Sequence, residues 1–272
     1  MPLDAALPVD PDDIARRLAD LGVPWPAPRV VASTGSTNAD LLALAADGLP
    51  EGTVVVADEQ SAGRGRLART WVSAPGAGLW FSTLVRVPGS GGSGQSLLPL
   101  LAGVAVADAV RCHGVAAMLK WPNDVIVDEG HAQGQRSGLR KLAGILCEAD
   151  GSGGVVIGIG VNVSQSADEL PVPQATSLAI EGAVVLRSDL LVEILAGLHA
   201  AVGDLRSCGG SATMHQYRRL CATVGRDVRV SLPSGEVLDG FALGIGDDGR
   251  LAIQVAGKSV YVAAGDVIHA TI

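Results

Sequence analysis

The sequence predicts an α+β domain followed by a small all-β domain. Up to about residue 220, apolar runs of helical length alternate with short strand-like runs. Beyond Cys221 only short strand-like runs remain, separated by tight turns, and about fifty residues of such strands make a small β-barrel. The composition supports a sizeable core: of 272 residues, 48% are hydrophobic and 3% aromatic, so Ala, Val, Leu and Ile must fill it. No internal repeat is visible.

Residues 1–30, rich in Pro and Asp, hold one short helix near Asp12 to Leu21. Ser36-Thr37-Asn38 precedes a helix over Ala39 to Ala46, with a hydroxyl N-cap and Gly48 as its stop. Thr53 to Ala57 and Leu79 to Val87 read as strands, and Gly89 to Gly94 as a flexible loop. Ser96 is expected to cap a long apolar helix ending near Gly114, with Pro99 tolerated in its first turn. Met118 to Lys120 and Val125 to Val127 are short strands around Trp121-Pro122-Asn123-Asp124. Asp128 to Gly138 is a polar, mobile loop. Leu142 to Glu148 and Val155 to Val163 are strands, and Ser188 caps an amphipathic helix to about Leu205. In the tail, Asp227–Leu232, Glu236–Leu243, Leu251–Val255 and Val260–Ala263 are strands joined by hairpin turns. The domains are therefore 1–220 and 221–272.

The formal net charge of -8 argues against nucleic-acid binding over the whole surface, so any basic patch is local. Cys112, Cys147, Cys208 and Cys221 form no CxxC pair, which fits reduced cysteines rather than zinc or disulfides. The start lacks the pattern of a signal peptide, and the apolar run Leu97 to Val110 is too short to span a bilayer and carries Pro99 and Asp108. A soluble cytoplasmic protein with no membrane partner is expected.

The stretch Ser61 to Trp71 concentrates Arg64, Arg66 and Arg69, with Gly63 and Gly65, in an otherwise acidic chain. Guanidinium groups suit carboxylate and phosphate oxygens, and the glycines let backbone approach a ligand. Other polar groups stand at strand ends or turns: Ser36-Thr37-Asn38, Gln60, Lys120-Trp121-Pro122-Asn123-Asp124 and Arg140-Lys141-Leu142-Ala143-Gly144-Ile145-Leu146. Taken singly, each has a plain structural alternative. Ser36 and Thr37 can be a helix cap, Lys141 and Lys120 solvated lysines, Asp124 a turn residue and Asn162 a strand end.

In this order and spacing, GRGR, KWPND, RKLAGI and GIGVN resemble the biotin protein ligases over about residues 30 to 180, and the hairpin-rich tail resembles their SH3-like C-terminal domain. The resemblance implies a mixed β-sheet flanked by helices, the class II aminoacyl-tRNA-synthetase-like or biotin–lipoate ligase fold, with a small C-terminal SH3-like β-barrel. It implies two half-reactions: biotin and ATP give biotinyl-5′-adenylate, and biotin then passes to a lysine of the biotin carboxyl-carrier domain of acyl-CoA carboxylases. ATP and biotin are substrates and Mg²⁺ is the expected helper. By the same match, Ser36, Thr37, Asn38, Gln60, Gly63, Arg64, Gly65, Arg66, Lys141, Ala143 and Gly144 bind biotin. Arg64, Arg66, Arg69, Trp71, Lys120, Asn123 and Asn162 face the nucleotide. Lys141, Arg66 and Asp124 serve the chemistry, and Asp124 either holds Mg²⁺ or orients the carrier lysine. The arginine loop is expected to be mobile without ligand and ordered by the adenylate.

Two features depart from the family pattern. Leu67-Ala68 stand before Arg69 where family loops usually carry glycine, and the Asp128–Gly138 loop is longer than usual. Residues 1–30 leave no room for the DNA-binding domain some family members carry, so ligase activity without operator binding is expected, with no DNA partner. A homodimer remains open. The nearest alternative is lipoate or octanoate ligation, which lacks a use for hydrogen-bonding groups at the head of the acid. An RG-type nucleic-acid contact is disfavoured by the charge and by the two other motifs. A decayed enzyme with an interaction role is disfavoured by the intact polar set.

Overall fold

The structure, a computed structural model, describes residues 9–45, 48–66, 69–71, 75–87, 94–128 and 138–269. The chain runs α1 (Pro11–Asp20), β1 (Arg29–Thr34), α2 (Thr37–Ala45), β2 (Val54–Gln60), β3 (Gly78–Arg86), α3 (Leu98–Cys112), β4 (Ala117–Lys120), β5 (Asp124–Asp128), β6 (Leu139–Ala149), β7 (Gly154–Asn162), α4 (Arg187–Cys208) and α5 (Ser211–Leu220). Five strands follow: β8 (Asp227–Ser231), β9 (Val237–Ile245), β10 (Leu251–Val255), β11 (Lys258–Val262) and β12 (Asp266–His269).

The first sheet has the order β1-β2-β3-β7-β6-β5-β4. Only the β1–β2 pair is parallel, so the sheet is mixed as expected. Alternation along its strands supplies two apolar faces. Val55, Leu84 and Val156 meet Leu41 and Ala45 of α2 in a small core. Val54, Val56 and Ile157 join the large core with α1, α3 and α4. Helices thus cover both faces.

Helix α3 is apolar nearly all round because it is enclosed by α4, α5 and the sheet. Small residues permit the close approach: a Cβ on Gly103 would lie 3.3 Å from Leu119, and one on Gly197 of α4 would lie 3.3 Å from Ala105. The helical stretch Gln95–Cys112 has the length and apolarity of a membrane span. Here it is the central core helix, with Leu98, Leu101 and Val106 at 0% exposure.

The tail forms a five-stranded antiparallel sheet of order β11-β10-β9-β8-β12. It is sewn to the first sheet through Trp121, whose N–H donates to Thr223 Oγ1 at 3.1 Å and whose indole Nε1 donates to the Gly249 carbonyl at 3.0 Å.

Several sequence expectations change. Ser96 does not cap α3; it lies in a 3₁₀ turn, Gln95–Leu97, that runs into the helix with no side-chain cap. Ser188 does not cap α4 either, since that helix begins one residue earlier behind Leu186. The acceptor at the start of α2 comes from β2: Gln60 Oε1 takes the Thr37 N–H at 2.9 Å. The strands β1 and β12 and the helix α5 are additions to the predicted elements. The glycine-rich and polar loops expected at 89–94 and 128–138 fall largely outside the described residues, as do Leu67 and Ala68.

Candidate active site

A cavity of about 280 Å³ opens where α2, the C-terminal end of β2, the middle of β6 and β7, the arginine loop and β12 meet. At one end stands a chain of hydrogen bonds. Thr37 Oγ1 donates to Gln60 Oε1 at 3.2 Å, and Ser82 Oγ lies 2.7 Å from Thr37 Oγ1 and 2.5 Å from Asn38 Oδ1. Asn38 Nδ2 donates to the Leu146 carbonyl at 3.3 Å and to Glu148 Oε2 at 2.7 Å. Ser36, Thr37, Asn38 and Ser82 are all buried. Buried polar groups need partners, and Thr37, Asn38 and Ser82 find them in one another, in Gln60 and in Glu148.

The floor is bare backbone. A Cβ on Gly158 would meet Asn38 Oδ1 at 2.0 Å, one on Gly144 would meet Trp71 Cζ3 at 2.9 Å, and one on Gly160 would meet Trp71 Cε2 at 2.8 Å. The Trp71 ring therefore lies against two glycine strands, edge-on to Trp80 with centroids 6.0 Å apart. Lys141 Nζ stands 5.2 Å from the Trp71 ring centroid and pairs with Asp124 Oδ1 at 2.6 Å.

The arginine loop folds as a short hairpin. Trp71 N–H donates to the Gly63 carbonyl at 2.9 Å and Gly65 N–H to the Arg69 carbonyl at 2.7 Å. Its three guanidiniums reach different elements. Arg64 approaches Glu148 at 3.6 Å. Arg66 donates to Asn123 Oδ1 and to the Gly265 carbonyl, both at 3.2 Å, and Arg69 pairs with Asp266 of β12. Burial lowers the Arg66 pKa, opposed by the charges of Asp266 and Asp124. Burial pushes Asp266 up, but Arg69, Lys120 and Arg66 together hold its carboxyl below the usual range.

Two asparagines face the same space. Asn123 is fixed by its Nδ2 bond to the Ile145 carbonyl at 2.8 Å, and Asn162 by its Nδ2 bond to the Thr176 carbonyl at 2.8 Å. The structure thus brings Ser36, Thr37, Asn38, Gln60, Arg64, Gly65, Arg66, Arg69, Trp71, Asn123, Asp124, Lys141, Gly144 and Asn162 to one cavity. Three predicted residues stand apart from its wall. Gly63 forms the hairpin base, the Ala143 side chain is fully buried in the core, and Lys120 lies beside the site with its pKa lowered by burial.

Sequence reading missed Ser82, Gly158, Gly160, Glu148 and Asp266. Alternation could have found Glu148, because it shares a strand face with Gly144 and Leu146. Asp266 carries no local signal. The carboxylate expected to hold Mg²⁺, Asp124, is engaged by Lys141, and among the described residues no group of three or more His, Cys, Asp or Glu could hold a metal ion. The side chains present do not fit a protein-held Mg²⁺.

A glycine-floored cavity lined by Lys141 and three arginines, with a hydrogen-bonding end, on a mixed sheet, is suited to anionic ligands. Residues 29–163 match the biotin/lipoate A/B protein ligase family. A biotin–[acetyl-CoA-carboxylase] ligase of Mycobacterium tuberculosis is 40% identical over 268 residues, covering 96% of each chain. A ligase of the same name from Paracoccus denitrificans is 34% identical over 86% of this chain and 98% of its own. The fold is similar to that of a biotin protein ligase from Aquifex aeolicus, solved in complex with biotin and ATP, with a TM-score of 0.75, 24% identity, and coverage of 89% of this chain and 99% of that one. The chain belongs to the biotin protein ligase family.

Proposed function

We propose that this chain is an ATP-dependent biotin protein ligase that acts on the biotin carboxyl-carrier domain of acyl-CoA carboxylases. The observation that carries this reading is the arrangement of one cavity: a hydrogen-bonding end at Thr37, Asn38 and Gln60, a glycine floor, and the cations Lys141, Arg64, Arg66 and Arg69 in its wall. Biotin has that polarity, with a ureido ring at one end and a carboxylate at the other.

In the first half-reaction a biotin carboxylate oxygen attacks the α-phosphorus of ATP. The bond to the bridging oxygen breaks and pyrophosphate leaves. Two anions must be held together, and charge grows on the phosphoryl oxygens as the α-phosphorus passes through its pentacoordinate arrangement. Lys141 and Arg66 are the cations for this, Arg64 and Arg69 close the loop over the product, and Asn123, Asn162 and Trp71 hold the nucleotide. Ser36, Thr37, Asn38 and Gln60 orient the ureido ring, so positioning contributes to the rate. In the second half-reaction a carrier lysine amine attacks the acyl carbon and AMP leaves with the bonding electrons. Asp124, at the cavity and paired with Lys141, orients the incoming amine. Magnesium is assigned to the nucleotide phosphates, not to a protein site.

We assign residues 1–220 to the adenylate-forming unit and 221–272 to an SH3-like unit, and place the enzyme in the cytoplasm, where its carrier is made. The test is acid-dependent exchange of labelled pyrophosphate into ATP, with biotin and octanoate in parallel. Exchange with biotin alone supports the reading. Exchange with octanoate reassigns the chain to lipoyl-type ligation, and no exchange with either overturns adenylation.

A further inference from the structure

Glu148 lies beyond the motifs and has no role in the chemistry above. It stands on β6 two positions past Leu146, and its two oxygens face different elements. Oε2 accepts from Asn38 Nδ2 at 2.7 Å, while Oε1 lies 3.6 Å from Arg64 Nη1 on the hairpin. Its side chain is 28% exposed, so the carboxylate has given up much of its water and depends on these partners.

The link continues inward. Asn38 Oδ1 accepts from Ser82 Oγ, Ser82 meets Thr37 Oγ1, and Thr37 meets Gln60. Asn38 has no latitude, since its oxygen fills the space where a side chain on Gly158 would stand. With Nδ2 drawn toward the Glu148 charge and the Leu146 carbonyl, the amide oxygen must face Ser82. One carboxylate therefore sets the direction of the hydrogen-bond chain at the polar end of the cavity and also holds the first arginine of the loop.

We propose that Glu148 is a positioning residue that couples seating of the arginine hairpin to recognition of the head group of the acid. This rests on the biotin-ligase reading for its substrate arm but not for its loop arm. Glu148→Gln keeps an acceptor for Asn38 and removes the charge facing Arg64. Without any ligand, trypsin cleavage after Arg64 and Arg66 then accelerates severalfold relative to the parent, while the thermal midpoint moves little. In pyrophosphate exchange, biotin KM rises about tenfold with kcat within about twofold, the pattern of lost binding rather than lost transition-state contact. Glu148→Ala, which also frees Asn38, raises KM further. Read at the Arg66 bond alone, because Arg64→Gln removes the other trypsin site, the double variant Glu148→Gln/Arg64→Gln is cleaved no faster than either single variant.

Parent-like cleavage and parent-like KM in folded Glu148→Gln overturn the coupling. Faster cleavage with unchanged KM overturns it as well, because the loop is then seated independently of the acid. If the parent exchanges with octanoate instead of biotin, the functional reading fails; faster ligand-free cleavage in Glu148→Gln still supports the hairpin anchor, and unchanged cleavage still removes it.

Discussion

Lys141 is the residue on which the proposed chemistry turns. Its ammonium sits between the Asp124 carboxylate and the Trp71 ring, inside a cavity that contains both expected substrate ends. Lys141→Ala is expected to lower pyrophosphate exchange by an amount equivalent to roughly 1.5–3 kcal/mol or more, with circular dichroism unchanged. Parent-level exchange would remove Lys141 from the mechanism. Gly160→Ala places a methyl group where the Trp71 ring lies, so the ring must shift. Altered Trp fluorescence and a stability loss of about 1–3 kcal/mol are expected. Cys147 contrasts with these residues. Burial pushes its thiol pKa to about 12, so thiol reagents should modify it slowly at pH 8, measured against exposed Cys112 and Cys208. The cations and asparagines of the site were readable from sequence because they cluster within motifs. Ser82 was not, because one polar residue in an apolar strand looks the same whether it lines a site or ends a ladder.

Among the elements, long periodic segments were readable and short or two-sided ones were not. Helices α3 and α4 announced themselves by apolar content. Strand β1 did not, since its exposed and half-buried positions lack a period of two. Helix α5, SATMHQYRRL, is mostly polar and follows two left-handed glycines, which the eye reads as loop. Strand β12 has four residues, and its pairing with β8 is fixed at a distance. The caps of α3 and α4 failed for separate reasons: Ser96 is drawn into a 3₁₀ turn ahead of α3, and Ser188 lies one residue inside α4, while at α2 the Thr37 N–H finds its acceptor in Gln60 on a neighbouring strand. The arginine hairpin is the element with the clearest functional consequence. Arg66 touches both Asn123 and the Gly265 carbonyl, so Arg66→Ala should loosen the closed loop. Release of biotinyl-adenylate should accelerate more than biotin affinity falls, and equal release in variant and parent would count against it.

At the scale of the molecule, the two sheets meet around His269. Its Nε2 lies 3.2 Å from Thr223 Oγ1, and its pKa is lowered from 6.5 to about 4 by burial, reinforced by Lys120 and Arg226. A histidine kept neutral in the fold but protonated when unfolded contributes stability above pH 6.5. That contribution is lost as pH falls from 6.5 toward 4, because the unfolded chain binds the extra proton. Unfolding midpoints should decline across that window, and His269→Asn should flatten the decline. Both sheets were foreseen from sequence. Their junction was not, since Trp121 with Gly249 and Arg69 with Asp266 join residues far apart in the chain.

The Arg69–Asp266 pair spans 197 positions. During translation the hairpin therefore leaves the ribosome long before the strand that clasps it, and N-terminal parts of a chain fold first. A nascent copy has the floor, the hydrogen-bonding end and the lysine, but a hairpin held only by Glu148 and Asn123, without the Asp266 clasp. Firm seating of the hairpin thus waits for a segment made 197 residues later.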